Sequence, residues 1–415
     1  MRWLQGVMTR ADAQYLDATD PLAHFRAAFD LPQGVIYLDG NSLGPLPHEA
    51  ARRVDQVVRQ EWGQGLIRSW NAAGWIEAPQ RVGGKLARLM GAKESEVVAA
   101  DSTSVNLYKL AAGALSLRPD RRTLLTEADG FPTDTYVLEG LAALTGATLR
   151  IAPADDLPQA INDDTAAVVL THIHYRASQR WDMATVNRAA AAKGALSLWD
   201  LSHSLGAVQV DLNATNTDLA VGCGYKFLNG GPGAPAWLYV AERHQAQIRS
   251  PLTGWMGHAE PFAFEPAYRP AADIRRLLAG TPPILGLAAL EAAVDLQLQA
   301  DPAQLEAKGL ALADAFIAGV EARCAGHGLL LQGPREPATR GLHVSFHHPH
   351  AYALVQALIA RGVIGDFRGP DTARFGFSPL FLRHVDVWDA VTALADVLET
   401  RAWDAPAFQA RAAVT

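Results

Sequence analysis

"TLLTEADGFPTDTYVLEGLAALTGATLRIAP" runs from Thr123 to Pro153, and its order of residue types decides the fold. "TLLTE" (Thr123 to Glu127) reads as a strand, "TDTYVLEGLAALTG" as an alanine- and leucine-rich helix, and "ATLRIAP" (Ala147 to Pro153) as a second strand. The alternation extends outward. Upstream, the strand "EVVAADS" (Glu96 to Ser102) precedes the helix "SVNLYKLAAGALSL". Downstream come the strands "AAVVLTHIH" (Ala166 to His174), "ALSLWDLSH" (Ala195 to His203), "LAVGCGYKF" and "PAWLYV" (Pro235 to Val240), the last expected to close the sheet. The helix "ATVNRAAAAKG" ends on Gly194. This rhythm predicts an α/β fold, a mostly parallel sheet with helices on both faces. Ligands of such sheets bind beyond the carboxyl ends of the strands.

From about Leu290 the rhythm changes. A long helical stretch, "LHVSFHH", the helix "AYALVQALIARG", the short runs "VIGDF" and "ARFGF", and a last amphipathic helix predict a smaller α+β domain. The expected division is an N-terminal segment, 1–40, packed on the small domain, a large domain over 41–290, and the small domain over 291–415.

The chain has 415 residues, 49% hydrophobic and 19% charged, enough for more than one core. A net charge of -7 argues against nucleic acid or an acidic membrane surface as partner. Cys223 and Cys324 make no disulfide framework. No apolar run is long enough for a membrane span, and the start of the chain lacks an apolar signal core, so the expected location is cytoplasmic.

The polar residues after the strands carry the chemistry. "GYKFLNGGPGAP" (Gly224 to Pro235) sets a single lysine, Lys226, in a backbone bent by glycine and proline. Asp200 follows the apolar run "ALSLW", with His203 three residues on. Alone, Asp200 reads equally as a turn or cap aspartate. A lysine used covalently must be partly desolvated. A carboxylate beside it suits a cationic ring nitrogen, the pairing that pyridoxal phosphate needs. Thr103 and Ser104 at a helix start suit a phosphate dianion, or simply cap the helix. Phe131 and Asp134 follow the strand "TLLTE", where an aromatic can stack on a flat ring or pack in a core. Arg374 in "ARFGF" needs an anionic partner if it points inward. No Walker loop or dinucleotide fingerprint is present, and the "HHPH" and "HIH" runs lack zinc-site spacing.

Taken together, "YLDGNSLGPLP", "DSTSVNLYK", "GFPTD", "WDLSHSLGAVQVDL", "GCGYKFLNGGPG", "GWMGH" and "RFGFSPLF" resemble the kynureninase family of fold type I pyridoxal phosphate enzymes, over nearly the whole chain. The resemblance implies that Lys226 forms the Schiff base, with Tyr225 as a phosphate ligand and a possible acid. It implies Thr103 and Ser104 on the phosphate, and Phe131 on the ring with Asp134 and Thr171 beside it. Asp200 would pair with the ring nitrogen near His203, and Arg374 would bind the substrate carboxylate. Trp255 and Thr281 would reach the phosphate across a homodimer interface. Trp70 and Trp75 are candidate walls for the aromatic ring of the substrate, or plain core residues. Some relatives carry Ser-Asn where this chain has Gly280-Thr281, which favours L-kynurenine over its 3-hydroxy form.

Two rival readings share part of this pattern. A cysteine desulfurase-like lyase would use Lys226 and Asp200 but needs a reactive cysteine on a mobile loop, and neither Cys223 nor Cys324 is so placed. A non-enzymatic cofactor-binding regulator would have no use for Arg374, and no basic DNA-binding region is present.

Overall fold

The structure is a computed structural model that describes residues 8–411, so residues 1–7 and 412–415 of the expected terminal segments lie outside it. The large sheet has seven strands: β1 (Val97–Ala99), β2 (Thr123–Glu127), β3 (Thr148–Ala152), β4 (Thr165–Thr171), β5 (Leu196–Asp200), β6 (Leu219–Gly222) and β7 (Trp237–Val240). Their spatial order is β1-β7-β6-β5-β4-β2-β3. All run parallel except β7, which is antiparallel to both neighbours. β7 therefore does not close the sheet, as its run of residues suggested. It lies one place in, and β1 is the edge. Strand order depends on pairing between distant segments, which a local run does not encode.

Both faces of the sheet are covered, which is why its strands read as unbroken apolar runs. Alternate residues face opposite ways. Val168, Leu170 and Trp199 join a core with the helices Ala78–Leu89, Met183–Ala192 and Ile284–Gln297. Ala167, Val169 and Leu198 join a second core with the helices Thr103–Leu117 and Pro132–Thr145. Between β5 and β6 the chain makes turns and no helix, in line with the short spacing there.

A third core holds the C-terminal elements. A four-stranded antiparallel sheet, β8 (Leu330–Gln332), β9 (His343–His347), β10 (Asp366–Arg368) and β11 (Thr372–Gly376), has the order β8-β9-β11-β10. The helices Pro302–Arg323, Ala351–Ile359 and His384–Glu399 cover one of its faces, and Phe25, Phe29 and Leu38 from the N-terminal segment belong to the same core. Phe316 sits at its centre, with ring centroids 4.9 Å from Phe375 and 5.2 Å from Phe377. Because Phe375 faces this core, Arg374 must point to the other side. Asp366, its register partner across β10, points with it.

Candidate active site

The carboxyl ends of the parallel strands surround a cavity of about 210 Å³. β4 and β5 end in register on Thr171 and Asp200. Thr171 donates its hydroxyl to Asp134 Oδ2 at 3.3 Å. Asp134 and Asp200 are 7% and 4% exposed, and both line the cavity. Burial pushes both carboxyls up from the ordinary range, and the neighbouring Asp200 pushes Asp134 further. Lys226 and the hydrogen bonds from Ser202 act the other way on Asp200. Two buried carboxyls facing one lysine leave room in the charge balance for another cation.

Asp200 has a one-sided environment. Its Oδ1 accepts from the backbone N–H of Ser202 at 2.8 Å and from the Ser202 hydroxyl at 2.6 Å. Its Oδ2 accepts no hydrogen bond among the described residues. A single free carboxylate oxygen is the complement of a single ring N–H⁺.

Lys226 sits on the turn after β6, where its Nζ lies 3.3 Å from His203 Nε2 and 5.9 Å from the centre of the Phe131 ring. Burial, and then Lys226, lower the proton affinity of His203 well below the usual histidine range, so the ring is neutral. The glycines of the lysine turn make close approaches within the protein itself. A Cβ on Gly230 would lie 2.6 Å from the Gly224 carbonyl, and one on Gly44 would lie 2.6 Å from the Lys226 carbonyl. Gly44 N–H donates to the Tyr225 carbonyl at 2.8 Å, clasping the turn from the N-terminal side. Burial raises the Tyr225 phenol, which stays protonated.

At the other end of the cavity the helix Thr103–Leu117 begins, capped by Ser102, whose side chain accepts from Val105 N–H. Thr103 and Ser104 line the cavity, and their hydroxyls make no hydrogen bond among the described residues. First-turn amides and free hydroxyls beside the positive end of a helix suit an anion. Phe131 forms one wall, with the Tyr175 ring set edge-on to it at 5.4 Å. A lysine, a one-sided carboxyl, an aromatic wall and an anion cradle in one cavity fit pyridoxal phosphate.

The structure thus gathers Thr103, Ser104, Phe131, Asp134, Thr171, Asp200, His203, Tyr225 and Lys226 around one space. Other expected residues lie apart from its lining. Trp70 packs edge-on against Trp75 at 6.0 Å, and Trp75 Nε1 donates to Glu61 at 2.7 Å. Trp255 borders a different surface cavity of about 390 Å³ with His258 and Phe264, and Thr281 is exposed. Arg374 is buried, and its expected anionic partner is met first inside the protein. Asp366 takes Nε at 2.8 Å and also Nη2. Four residues went unassigned by sequence reasoning. Ser202 and Thr133 line the cavity, Tyr175 backs Phe131, and Asp366 holds Arg374. Ser202 had a signal, since it lies within the quoted "WDLSHSLGAVQVDL" run.

A family model described as the kynureninase C-terminal domain matches residues 305–394. A kynureninase of Burkholderia mallei (strain SAVP1) is 51% identical over 414 residues, covering 98% of this chain and 100% of the relative. One of Pseudomonas fluorescens is 50% identical with the same coverage. Among solved structures, the apo cysteine desulfurase of Thermococcus onnurineus NA1 aligns with a TM-score of 0.77 at 19% identity, over 91% of this chain and 98% of that one. A cystine C–S lyase in complex with its product cysteine persulfide aligns with a TM-score of 0.76 at 17% identity, over 88% and 98%. These structural likenesses establish a shared fold, whereas half of all residues are identical to the kynureninases from end to end. The chain belongs to the kynureninase family.

Proposed function

We propose that this protein is a pyridoxal phosphate-dependent hydrolase that cleaves the Cβ–Cγ bond of L-kynurenine and releases anthranilate and L-alanine. The observation that carries the reading is the convergence of Lys226, the free oxygen of Asp200 and the Thr103–Ser104 helix start on one cavity. When bound, pyridoxal phosphate supplies a carbonyl that condenses with amines and a ring that draws electrons from the substrate α-carbon.

The chain's own residues do the rest. Thr103, Ser104 and Tyr225 would hold the phosphate, and Phe131 would offer its face to the ring. Asp200 Oδ2 would keep a proton on the ring nitrogen, while Ser202 fixes the orientation of the carboxyl. Lys226 Nζ would hold the cofactor covalently and, when free, would take the substrate α-proton. Neutral His203 lies beside that nitrogen and accommodates its change of charge. Water adds to the side-chain ketone, and the protonated Tyr225 phenol serves as acid as the bond breaks. Arg374 marks where the α-carboxylate docks.

The active unit in this reading is a homodimer in the cytoplasm. In support, Trp255 and Thr281 lie outside the cavity, and Trp62, Ile67, Phe262 and Phe264 expose apolar surface. The free cysteines suit a reducing compartment. A Cβ on Gly280 would meet nothing within 4 Å, leaving that position open beside Thr281.

The desulfurase-like fold does not bring desulfurase chemistry. Cys223 is 4% exposed and burial raises its thiol, the reverse of what a nucleophilic cysteine requires. The test is fluorescence-detected anthranilate from L-kynurenine, with 3-hydroxykynurenine and L-cysteine as alternatives and Lys226→Ala as control. Cofactor binding without anthranilate would overturn the assignment.

A further inference from the structure

His174 stands just beyond the end of β4 and uses both nitrogens of its ring. Nδ1 accepts the backbone N–H of Ala177 at 2.9 Å and that of Arg176 at 3.3 Å. A ring nitrogen that accepts carries no proton, so the proton sits on Nε2. Nε2 donates it to the Asp129 carbonyl at 2.6 Å. Burial lowers the proton affinity of His174 from the ordinary histidine range, which keeps this one neutral tautomer.

Asp129 belongs to the turn between β2 and the helix Pro132–Thr145, and its φ of 61° lies in the left-handed region. Phe131 is the N-cap of that helix, and no side chain caps it. Among the described residues, His174 is the one side chain that hydrogen-bonds to the backbone of Ala128, Asp129, Gly130 or Phe131. The Phe131 ring, two residues on from the held carbonyl, is a wall of the cavity, and the Tyr175 ring meets it edge-on at 5.4 Å.

The other side of His174 is anchored on the small sheet. His343 and Ser345 face the same side of β9, and Arg374 of β11 is the register partner of Ser345. Val344 and Phe375 point the other way, into the core around Phe316. His343 Nε2 donates to the His174 carbonyl at 3.1 Å, Arg374 Nη1 to the Tyr175 carbonyl and Ser345 Oγ to the Arg176 carbonyl. Three successive carbonyls are thus taken by three side chains of one sheet face. The main chain of residues 174–176 forms a strap across that face, and the His174 ring reaches from the strap to the turn of the large domain.

We propose that His174 is a positioning residue: it holds the turn that carries Phe131 against the strap on the small sheet, and so sets the aromatic wall for the cofactor ring. The proposal rests on the reading above that Phe131 faces that ring. A residue that only stabilised its own loop would need Nδ1 alone. The Nε2 contact crosses to another turn, and that turn ends at Phe131.

The experiment frees the full chain of cofactor and titrates it with pyridoxal phosphate, read from the visible absorbance of the bound form. His174→Asn places an oxygen where Nδ1 lies, so the Arg176 and Ala177 amides keep their acceptor while the donor toward Asp129 is lost. His174→Gln places an N–H where Nε2 lies and does the reverse. The asparagine variant should bind pyridoxal phosphate about fivefold more weakly, the weight of one hydrogen bond, and the glutamine variant within about twofold of wild type. In a Phe131→Leu background, His174→Asn should cost less than about twofold, because the ring it positions is gone. The opposite order of the two variants, or a full fivefold loss in the Phe131→Leu background, would overturn the proposal in favour of a local loop brace. If the asparagine variant does not fold, His174→Ser keeps an acceptor for the same amides and carries the same cycle. The titration needs no turnover, so it judges His174 even if wild type releases no anthranilate, a result that would sink the functional reading alone.

Discussion

Ser202 holds one oxygen of Asp200 twice, by its N–H at 2.8 Å and its hydroxyl at 2.6 Å, and leaves the other oxygen to the cavity. Removing the hydroxyl in Ser202→Ala takes away a hydrogen bond that favours the ionised carboxyl, in a site where burial already opposes ionisation. The expected loss in kcat/KM is about tenfold, from a charge-assisted hydrogen bond worth roughly 1.5 kcal/mol. Steady-state kinetics checks this, and Ser202→Thr should restore most of the rate.

Lys226→Ala should lose the visible absorbance of the lysine-bound cofactor and lower kcat by about 100-fold or more, the usual weight of a positioned acid–base group. Cofactor held without a covalent bond should still be measurable by dialysis, since Thr103, Ser104 and Phe131 remain.

Asp39 gives a pH signature. Its Oδ1 is buried without a partner among the described residues, and burial, then the nearby Asp366, pushes its carboxyl up to about 7 in the folded protein. The unfolded chain releases this proton near pH 4, so between about pH 4 and 7 the folded state binds more protons. Stability therefore falls as pH rises through that window. Asp39→Asn should be more stable than wild type at pH 8 by on the order of 1 kcal/mol, with the gain vanishing near pH 4. Urea unfolding at the two pH values decides it, and an equal gain at both would count against this origin.

Lys109 is fully buried and donates to Asp101 Oδ2 at 2.6 Å and to the Leu277 carbonyl at 2.7 Å. Asp101 lies just before the capped start of the anion-facing helix. Lys109→Met leaves a carboxylate and a carbonyl without their donor, at a cost of about 2–4 kcal/mol. Cofactor affinity should drop with it. Denaturant unfolding and a cofactor titration measure the two effects.

What could be read in the sequence follows from locality. A strand buried on both faces is an apolar run, and the first polar residue after it marks the cavity. Asp200 and Lys226 were legible for that reason, whereas Thr171 came only with the family resemblance. Thr103 and Phe131 were legible because a helix start follows a strand end. Asp366 was not, because its place opposite Arg374 is set by pairing between β10 and β11. "ARFGF" required an anion for Arg374 but could not say that the protein supplies one. The interior position of β7 was hidden in the same way. Trp70 was conspicuous only by residue type, and nothing in its neighbourhood indicated which way the ring turns.

The reversed strand β7 ties the lysine to the large sheet. The Lys226 turn leaves β6 and returns as β7, so both of its ends are pinned in the same sheet as Asp200. Arg368 and Arg374 belong to the other sheet. A rocking of one sheet against the other would change the span from the arginines to the lysine without altering the lysine's relation to the carboxyl. In the proposed reading, substrate length would be gauged between the two sheets, while bond-making would be kept inside one. A substrate too short or too long would be refused by a failure to close, with the reacting groups themselves left undisturbed.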